Sequence, residues 1–516
     1  MSILKISNLS QMFEDKILFK NANLVINNGE HVGIVGLNGA GKSTFINIIA
    51  KKIIWDEGEV TWLNGIRYGY LDQHADIDRT QTVYEYLQSS FTHLYEKNER
   101  LTAIYEKMGE VTNDKELEKL INKSNRILDE LTDSGFYDID ATIKKTASGL
   151  GVTAFGFDTL IANLSGGQRA KLMLTKLILQ DLDVMLLDEP TNFLDVEHID
   201  WLVKFLTSYK KTFMVISHDT DFLDKVCDNI VSIENGSIKK YSGAYTSFVA
   251  QHEMAVKQYA EDYERQQAEI KKMEDYINRN KARAATAGMA NSRKKMLDRI
   301  EVMEKPTFIP DATFDFPCNP LHTKEMLVVK DLEIGYDGVP LLPPISFTMQ
   351  GDTKLWIRGT NGIGKTTLLK TLMRVLQPIS GGFKFHIAAK PSYLEQDLTF
   401  RNLNTNAYGY ISDCFPRFNQ KEVRTQLSRV GITGDNALKE ILHLSGGEQV
   451  RIRLLTIMNT TSNILILDEP TNHLDVRAKK ALSEAIKKYD GAMILVCHER
   501  SFAEELCNAV YDVKQR

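Results

Sequence analysis

The chain has 516 residues, 43% apolar and 25% charged, with a formal net charge of −5. That length is too great for one ordinary core and suits two domains. The acidic balance excludes a generic polyanion binder, so any nucleic-acid contact must come from a local basic patch. No uncharged apolar run approaches the ~18–20 residues that span a bilayer. Met1–Ser7 carries no signal-peptide pattern and reads as a first strand, so a cytoplasmic protein is expected. The cysteines Cys227, Cys318, Cys414, Cys497 and Cys507 form no Cys-x-x-Cys pair. They read as buried or incidental thiols of a reducing compartment rather than a zinc site.

In chain order, His31–Val35 reads as a strand and feeds Gly36-Leu-Asn-Gly-Ala-Gly-Lys42-Ser43, then a helix. Gln73 follows. Residues Gln81–Leu131 read as two helices, Tyr84–Met108 and Asp114–Leu131, joined by Gly109–Asn113. They form either an arm reaching a partner or an enlarged helical subdomain. Next come Leu164-Ser-Gly-Gly-Gln168, the strand Asp183–Leu187 ending in Asp188-Glu189, and the strand Phe213–Ile216 before His218.

The same series then recurs. Lys42 and Gln73 reappear as Lys365 and Gln396, both 323 positions on. Leu164, Asp188 and His218 reappear as Leu444, Asp468 and His498, all 280 positions on. The lost 43 positions mark an extra segment in the first half. Strands Lys354–Ile357, Asn463–Leu467 and Met493–Val496 repeat those of the first half. Apolar strands alternating with helices predict a largely parallel, helix-covered sheet in each half. Ligands then bind at the strands' carboxyl ends, where these polar motifs fall.

Gly-x-x-x-x-Gly-Lys-Ser/Thr is a phosphate-binding loop: its glycines let backbone N–H groups face phosphates, and the helix behind adds its positive end. The candidate contacts are Gly36, Asn38, Gly39, Gly41, Lys42, Ser43 and Thr44, and in the second half Gly359, Asn361, Gly362, Gly364, Lys365, Thr366 and Thr367. Lys42 and Lys365 should reach the β- and γ-phosphates, and Ser43 and Thr366 should hold Mg²⁺. Asp188 and Asp468, at strand ends, are placed for Mg²⁺, and Glu189 and Glu469 for the attacking water. His218 and His498 can contact the γ-phosphate and sense its loss. Gln73 and Gln396 fit a role at Mg²⁺ or the water. Phe13 and Tyr336, also 323 apart, are candidates to stack on adenine.

This set resembles the ATP-binding-cassette superfamily over about residues 1–240 and 325–516. The resemblance implies an α/β protein with two P-loop ATPase domains. Each has a mixed sheet with helices plus a helical subdomain, and an α-helical hairpin joins the two. It implies two cassettes closing head to tail over two ATP molecules within one chain, acting as a monomer. Ser165 and Gly167, with Gly166 and Gln168, would then complete the site built on Lys365. Ser445 and Gly447, with Gly446 and Glu448, would complete the site built on Lys42. Asp195 and Asp475 would couple the sites. Phe193 stands where the second half has His473, a difference able to make the sites unequal.

The segment 241–324 reads as a helical hairpin with a basic tip at about 277–299, followed by an extended Pro-rich connector at 305–320. Seven Lys/Arg against one acid in that tip make RNA contact the expectation, with Arg279, Lys281, Arg283, Arg293, Lys294 and Lys295 as candidates. The turn is placed at about Ala284–Asn291. Linker and insertion together resemble the F subfamily of the superfamily. That implies a translation factor that binds the ribosome's tRNA exit site when ATP-bound and closed. Its linker would contact peptidyl-site tRNA and large-subunit rRNA, and hydrolysis would release it. The alternatives are a ribosome-protecting antibiotic-resistance protein, which the short turn disfavours, and a fused twin ATPase of a membrane transporter.

Overall fold

The structure is a computed structural model; it describes residues 1–13, 16–71, 77–111, 113–192, 194–234, 236–280, 287–300, 302–303, 312–336, 338–396, 398–400 and 402–513. In the first half, six strands lie in the order Tyr68–Leu71, Val184–Asp188, Thr212–Ile216, His31–Val35, Asn229–Glu234, Ser237–Ser242. All neighbours are parallel except the last pair. The second half repeats this with five parallel strands: Pro391–Leu394, Ile464–Asp468, Ala492–Val496, Lys354–Arg358, Ala509–Asp512. Central strands such as Thr212–Ile216 and Ala492–Val496 are buried at every residue, as strands covered on both faces must be.

Each half also has a three-stranded antiparallel sheet, led by Ser2–Phe13 and by Leu327–Glu333. Two cores result in each half. One lies between this sheet, the parallel sheet and the phosphate-loop helix, around Phe45 or Leu368. The other lies between the parallel sheet and the helical subdomain, around Leu172 or Leu454. The mixed α/β twin-domain architecture is therefore the expected one, and among the described residues no helix is long and apolar enough to cross a membrane.

Three local expectations change. The first inserted helix is broken: Val83–Gln88 and Thr92–Glu110 flank a 3₁₀ turn at Ser89–Phe91. The Ser89 hydroxyl donates to the Tyr86 carbonyl at 2.7 Å, offering the backbone an alternative to the α-helical ladder. The partner helix, Asp114–Asp133, packs on Thr92–Glu110, with Lys97 and Glu130 paired at 2.9 Å. Leu94, Leu101 and Leu131 join the first-half core.

The hairpin consists of Tyr245–Asn280 and Ala287–Leu297. Residues 287–291, expected in the turn, are helical. Gly288 sits in a first helical turn, where the amide has no intrahelical acceptor, so its roughly 1 kcal/mol disadvantage does not stop the helix. The rest of the expected turn, Ala284–Thr286, lies outside the described residues.

The connector, too, is more than a spacer. Ala312, Phe314 and Phe316 alternate into the second-half core, and the Thr313 amide donates to the Arg429 carbonyl at 2.7 Å. Burial of these side chains ties the chain from Ala312 to the second packing unit, ahead of the expected boundary at 325. Residues 305–311 lie outside the described residues.

Candidate nucleotide sites

In each half a central strand, His31–Val35 or Lys354–Arg358, runs into the phosphate loop and then the helix Lys42–Ile49 or Lys365–Leu372. Gly41 and Gly364 stand at these helix starts with φ of 96° and 114°, a region that strains any residue with a side chain. The lysines curl over their loops. Lys42 Nζ donates to the Gly36 and Leu37 carbonyls at 2.9 and 3.2 Å; Lys365 Nζ does so to Gly359 and Thr360 at 2.7 and 3.1 Å. Burial pulls both ammonium groups below the ordinary lysine value, and nearby acids oppose it. Those acids include Asp475 for Lys42 and Asp195 for Lys365, each from the opposite half.

The acids leave their strands in a matched way. Asp188 and Asp468 are the last strand residues, and Glu189 and Glu469 follow with φ of 48° and 51°. Non-glycine residues seldom adopt that conformation, and it recurs at functional sites. Backbone bonds from the two glutamate amides to the Ile216 and Val496 carbonyls, both 2.9 Å, hold it. The Glu189 carboxylate then lies 3.4 Å from His218 Nε2, and that of Glu469 lies 3.0 Å from His498 Nε2. Burial first, and Asp188 second, push Glu189 up to about 8. Burial, with the cations Lys42 and Lys479, holds His218 far below the ordinary imidazole value, so it is neutral at physiological pH.

Burial also lifts Asp468 to about 7, although the nearby Thr366 hydroxyl opposes the rise. Neither buried Asp468 oxygen receives a hydrogen bond of good geometry. Thr366 Oγ1 meets Gln396 Oε1 at 3.0 Å. Orphaned carboxylate oxygens beside a hydroxyl and an amide oxygen fit a hard divalent cation shared with phosphates. No cluster of three His, Cys, Asp or Glu side chains suited to a metal exists among the described residues, so such an ion would need the nucleotide's oxygens. Ser43 is exposed beside Lys42; Gln73 lies outside the described residues.

The signature residues begin helices. Ser165 and Ser445 are N-caps of Gly166–Leu179 and Gly446–Met458, each closed by a capping box with Gln168 or Glu448. Those two long side chains are therefore turned back onto their own helix starts. Across the halves, Asn38 Nδ2 donates to the His473 carbonyl at 2.7 Å, and a Cβ on Gly447 would fall 2.4 Å from that same Nδ2. On the other side the Asn361 amide donates to the Asp195 carboxylate. Each phosphate loop thus touches the opposite half beside a signature helix, which brings residues of both halves to each candidate site. Asp195 is further held by Lys171 at 3.0 Å and lies 3.7 Å from His198. Neither Lys171 nor His198 carries a sequence signal, because isolated charges on amphipathic helices read as solvated faces. Asp475 instead caps its helix at Ala478 N, 2.9 Å. Phe193 lies outside the described residues.

Phe13 and Tyr336 are 66% and 52% exposed, so they are not core aromatics. The Tyr336 hydroxyl reaches Thr367 Oγ1 at 3.4 Å, which sets that ring at the loop helix. At the linker tip, Arg279, Arg293, Lys294 and Lys295 are exposed, and the Arg293 guanidinium lies over the Tyr276 ring at 3.8 Å. Lys281 and Arg283 lie outside the described residues.

The family described as ABC transporter matches residues 19–192 and 342–472, and its extension family matches 231–316. The ABC transporter ATP-binding protein YfmM of Bacillus subtilis (strain 168) is 40% identical over 99% of this chain and 98% of its own length. ABC transporter F family member 2 of Arabidopsis thaliana is 32% identical over 99% of this chain and 76% of its own. Among solved structures, the RNase-L Inhibitor shares the fold with a TM-score of 0.62 at 17% identity, covering 99% of this chain and 88% of its own. A chain in the complex of archaeal ribosomal stalk protein aP1 and archaeal ribosome recycling factor aABCE1 gives 0.61 at 18%, with the same coverage. Two phosphate loops, two signatures and matched Asp-Glu pairs, together with these likenesses, place the chain in the ATP-binding-cassette family, among its F members, as an ATPase that binds and hydrolyses ATP.

Proposed function

We propose that this ATPase is a cytoplasmic translation factor that acts as a monomer at the ribosome's tRNA exit site. ATP closes the two cassettes and favours binding; hydrolysis opens them and releases the protein. The observation that carries this reading is the rooted hairpin with a cationic end. Its long helix is anchored in the first cassette by Phe248 and by the His252–Glu234 pair at 2.9 Å, and it exposes Arg279, with Lys294 and Lys295 beside it on the return helix. Such a lever suits phosphate contacts on peptidyl-site tRNA and large-subunit rRNA. Kinship with F family members supports it, and a twin-cassette fold shared with an archaeal ribosome recycling factor is compatible with it.

Within each site, Lys42 or Lys365 binds the β- and γ-phosphates, and Phe13 or Tyr336 stacks on adenine. The N-terminus of the opposite signature helix faces the γ-phosphate through Ser445 and Gly447, or Ser165 and Gly167. Glu189 or Glu469 accepts the attacking water's proton, oriented by the neighbouring histidine. Mg²⁺ would be held by Ser43, Gln73 and Asp188, or by Thr366, Gln396 and Asp468, where it would neutralise phosphate charge.

The test is the double variant E189Q/E469Q, which should bind ATP and stay closed. Sedimentation of lysate with and without ATP should carry the variant into the ribosome pellet only with ATP. A variant that stays free, or that pellets with membranes, would overturn the ribosomal reading and leave the ATPase assignment standing. A large rise in drug tolerance on overexpression would reassign the protein to ribosome protection.

A further inference from the structure

The two candidate sites are closed by different contacts, and one of the differences is a charge. Lys479 lies on the helix Val476–Lys488 of the second cassette and is only 9% exposed. Its Nζ donates to the His218 carbonyl of the first cassette at 3.0 Å, and also to the Glu499 carboxylate of its own. The repeat offset of 280 puts Ile199 at the equivalent place in the first cassette. Ile199 is half-buried against its own core and has no donor to offer His498.

The acids differ to match. Asp219 uses its carboxylate on its own helix start, accepting from the Phe222 amide at 3.0 Å. Its counterpart Glu499 is one methylene longer, makes no such cap, and reaches Lys479 instead. The pair thus replaces an Ile and a capping Asp, on one side only.

We infer that Lys479 is an inter-cassette positioning residue for the ATP site built on Lys42. It acts through His218, whose amide and ring both face Glu189 at 3.4 Å. When the cassettes part, the ammonium keeps Glu499 but leaves the His218 carbonyl. When they close, it pins the loop that carries His218 and adds a cation near Glu189. Among the described residues the site built on Lys365 has no equivalent pin, so the two sites turn over unequally. This goes beyond the proposed function and rests only on the ATPase activity, not on the ribosome.

Two single-site proteins isolate the effect. E469Q leaves turnover to the Lys42 site, and E189Q leaves it to the Lys365 site. Into each goes K479M/E499Q, which removes both buried charges together, and separately K479R. The readouts are kcat and KM for ATP without ribosomes. The ratio of Lys42-site to Lys365-site kcat should fall about tenfold in K479M/E499Q, with the Lys42-site KM changing less than about threefold. K479R should restore the ratio to within about threefold. A ratio that stays within about twofold of its starting value overturns the inference. So does an equal fall of both rates, which is what a merely structural role would give. If the double charge removal unfolds the chain, K479Q, which keeps a donor for Glu499 without the charge, is judged by the same ratio.

Discussion

Glu189 combines two unfavourable features, a left-handed backbone and a carboxyl buried beside Asp188. Strain of the first kind is worth about 1–3 kcal/mol and is held by the hydrogen bond that the Glu189 amide donates to the Ile216 carbonyl. The second depends on pH. With the folded value near 8 against 4.5 for a free glutamate, the folded state holds its proton more tightly than the unfolded chain. Stability from this group is therefore complete below about 4.5 and is lost as pH rises through about 8. An E189Q protein has no such loss. Without nucleotide, its melting midpoint should exceed that of the parent by a margin that widens from pH 5 to pH 9. The margin reflects the upward shift itself, in which the opposing pull of Lys42 and Lys479 is already contained. A margin that does not vary with pH would show that Glu189 is not the titrating group.

Among the elements, the hairpin makes charge and packing separable. Arg279, Lys294 and Lys295 are exposed, and among the described residues the packing contacts of the tip include those of Arg293 over Tyr276 and of the Met303 amide with Gln266 at 2.8 Å. Replacing those three exposed cations with Gln should weaken ribosome binding and flatten its salt dependence, by about 0.7–0.9 in the log–log slope for each phosphate no longer neutralised. Y276A should loosen the tip and weaken binding with the slope unchanged. Equal slopes in parent and triple variant would remove the tip from the RNA interface. The helices and the clustered charge were legible because hydrophobic period and composition are local. The turn's register was not, because Gly288 marks a turn in sequence but costs little at a helix start. Likewise the Ser89–Phe91 break depends on a hydroxyl reaching back to a carbonyl, which spacing does not reveal. The alternating Ala312, Phe314 and Phe316 were legible in principle as a buried extended strip, but nearby prolines made the stretch read as a linker.

For the whole molecule, the cis half of each site was written in motifs with fixed offsets, and the trans half was not. The family resemblance supplied the pairing of phosphate loop with opposite signature. Individual trans contacts escaped, because Asn38 to His473 and Lys479 to His218 span 435 and 261 residues with no local signal at either end. If one interface closes over both nucleotides, as proposed, each nucleotide stabilises contacts that the other also needs, and the two bindings are coupled. Calorimetric titration of ATP into E189Q/E469Q, in which hydrolysis is blocked, measures that coupling. Adding K42A removes one nucleotide, and the surviving Lys365 site must then close the interface alone. Its affinity should fall about fivefold or more, the lower end of ordinary allosteric coupling, and K365A should do the same to the Lys42 site. If either surviving site binds ATP as tightly as in the parent, the cassettes bind independently. The inter-cassette bonds from Asn38, Asn361 and Lys479 would then carry no energy between the two sites.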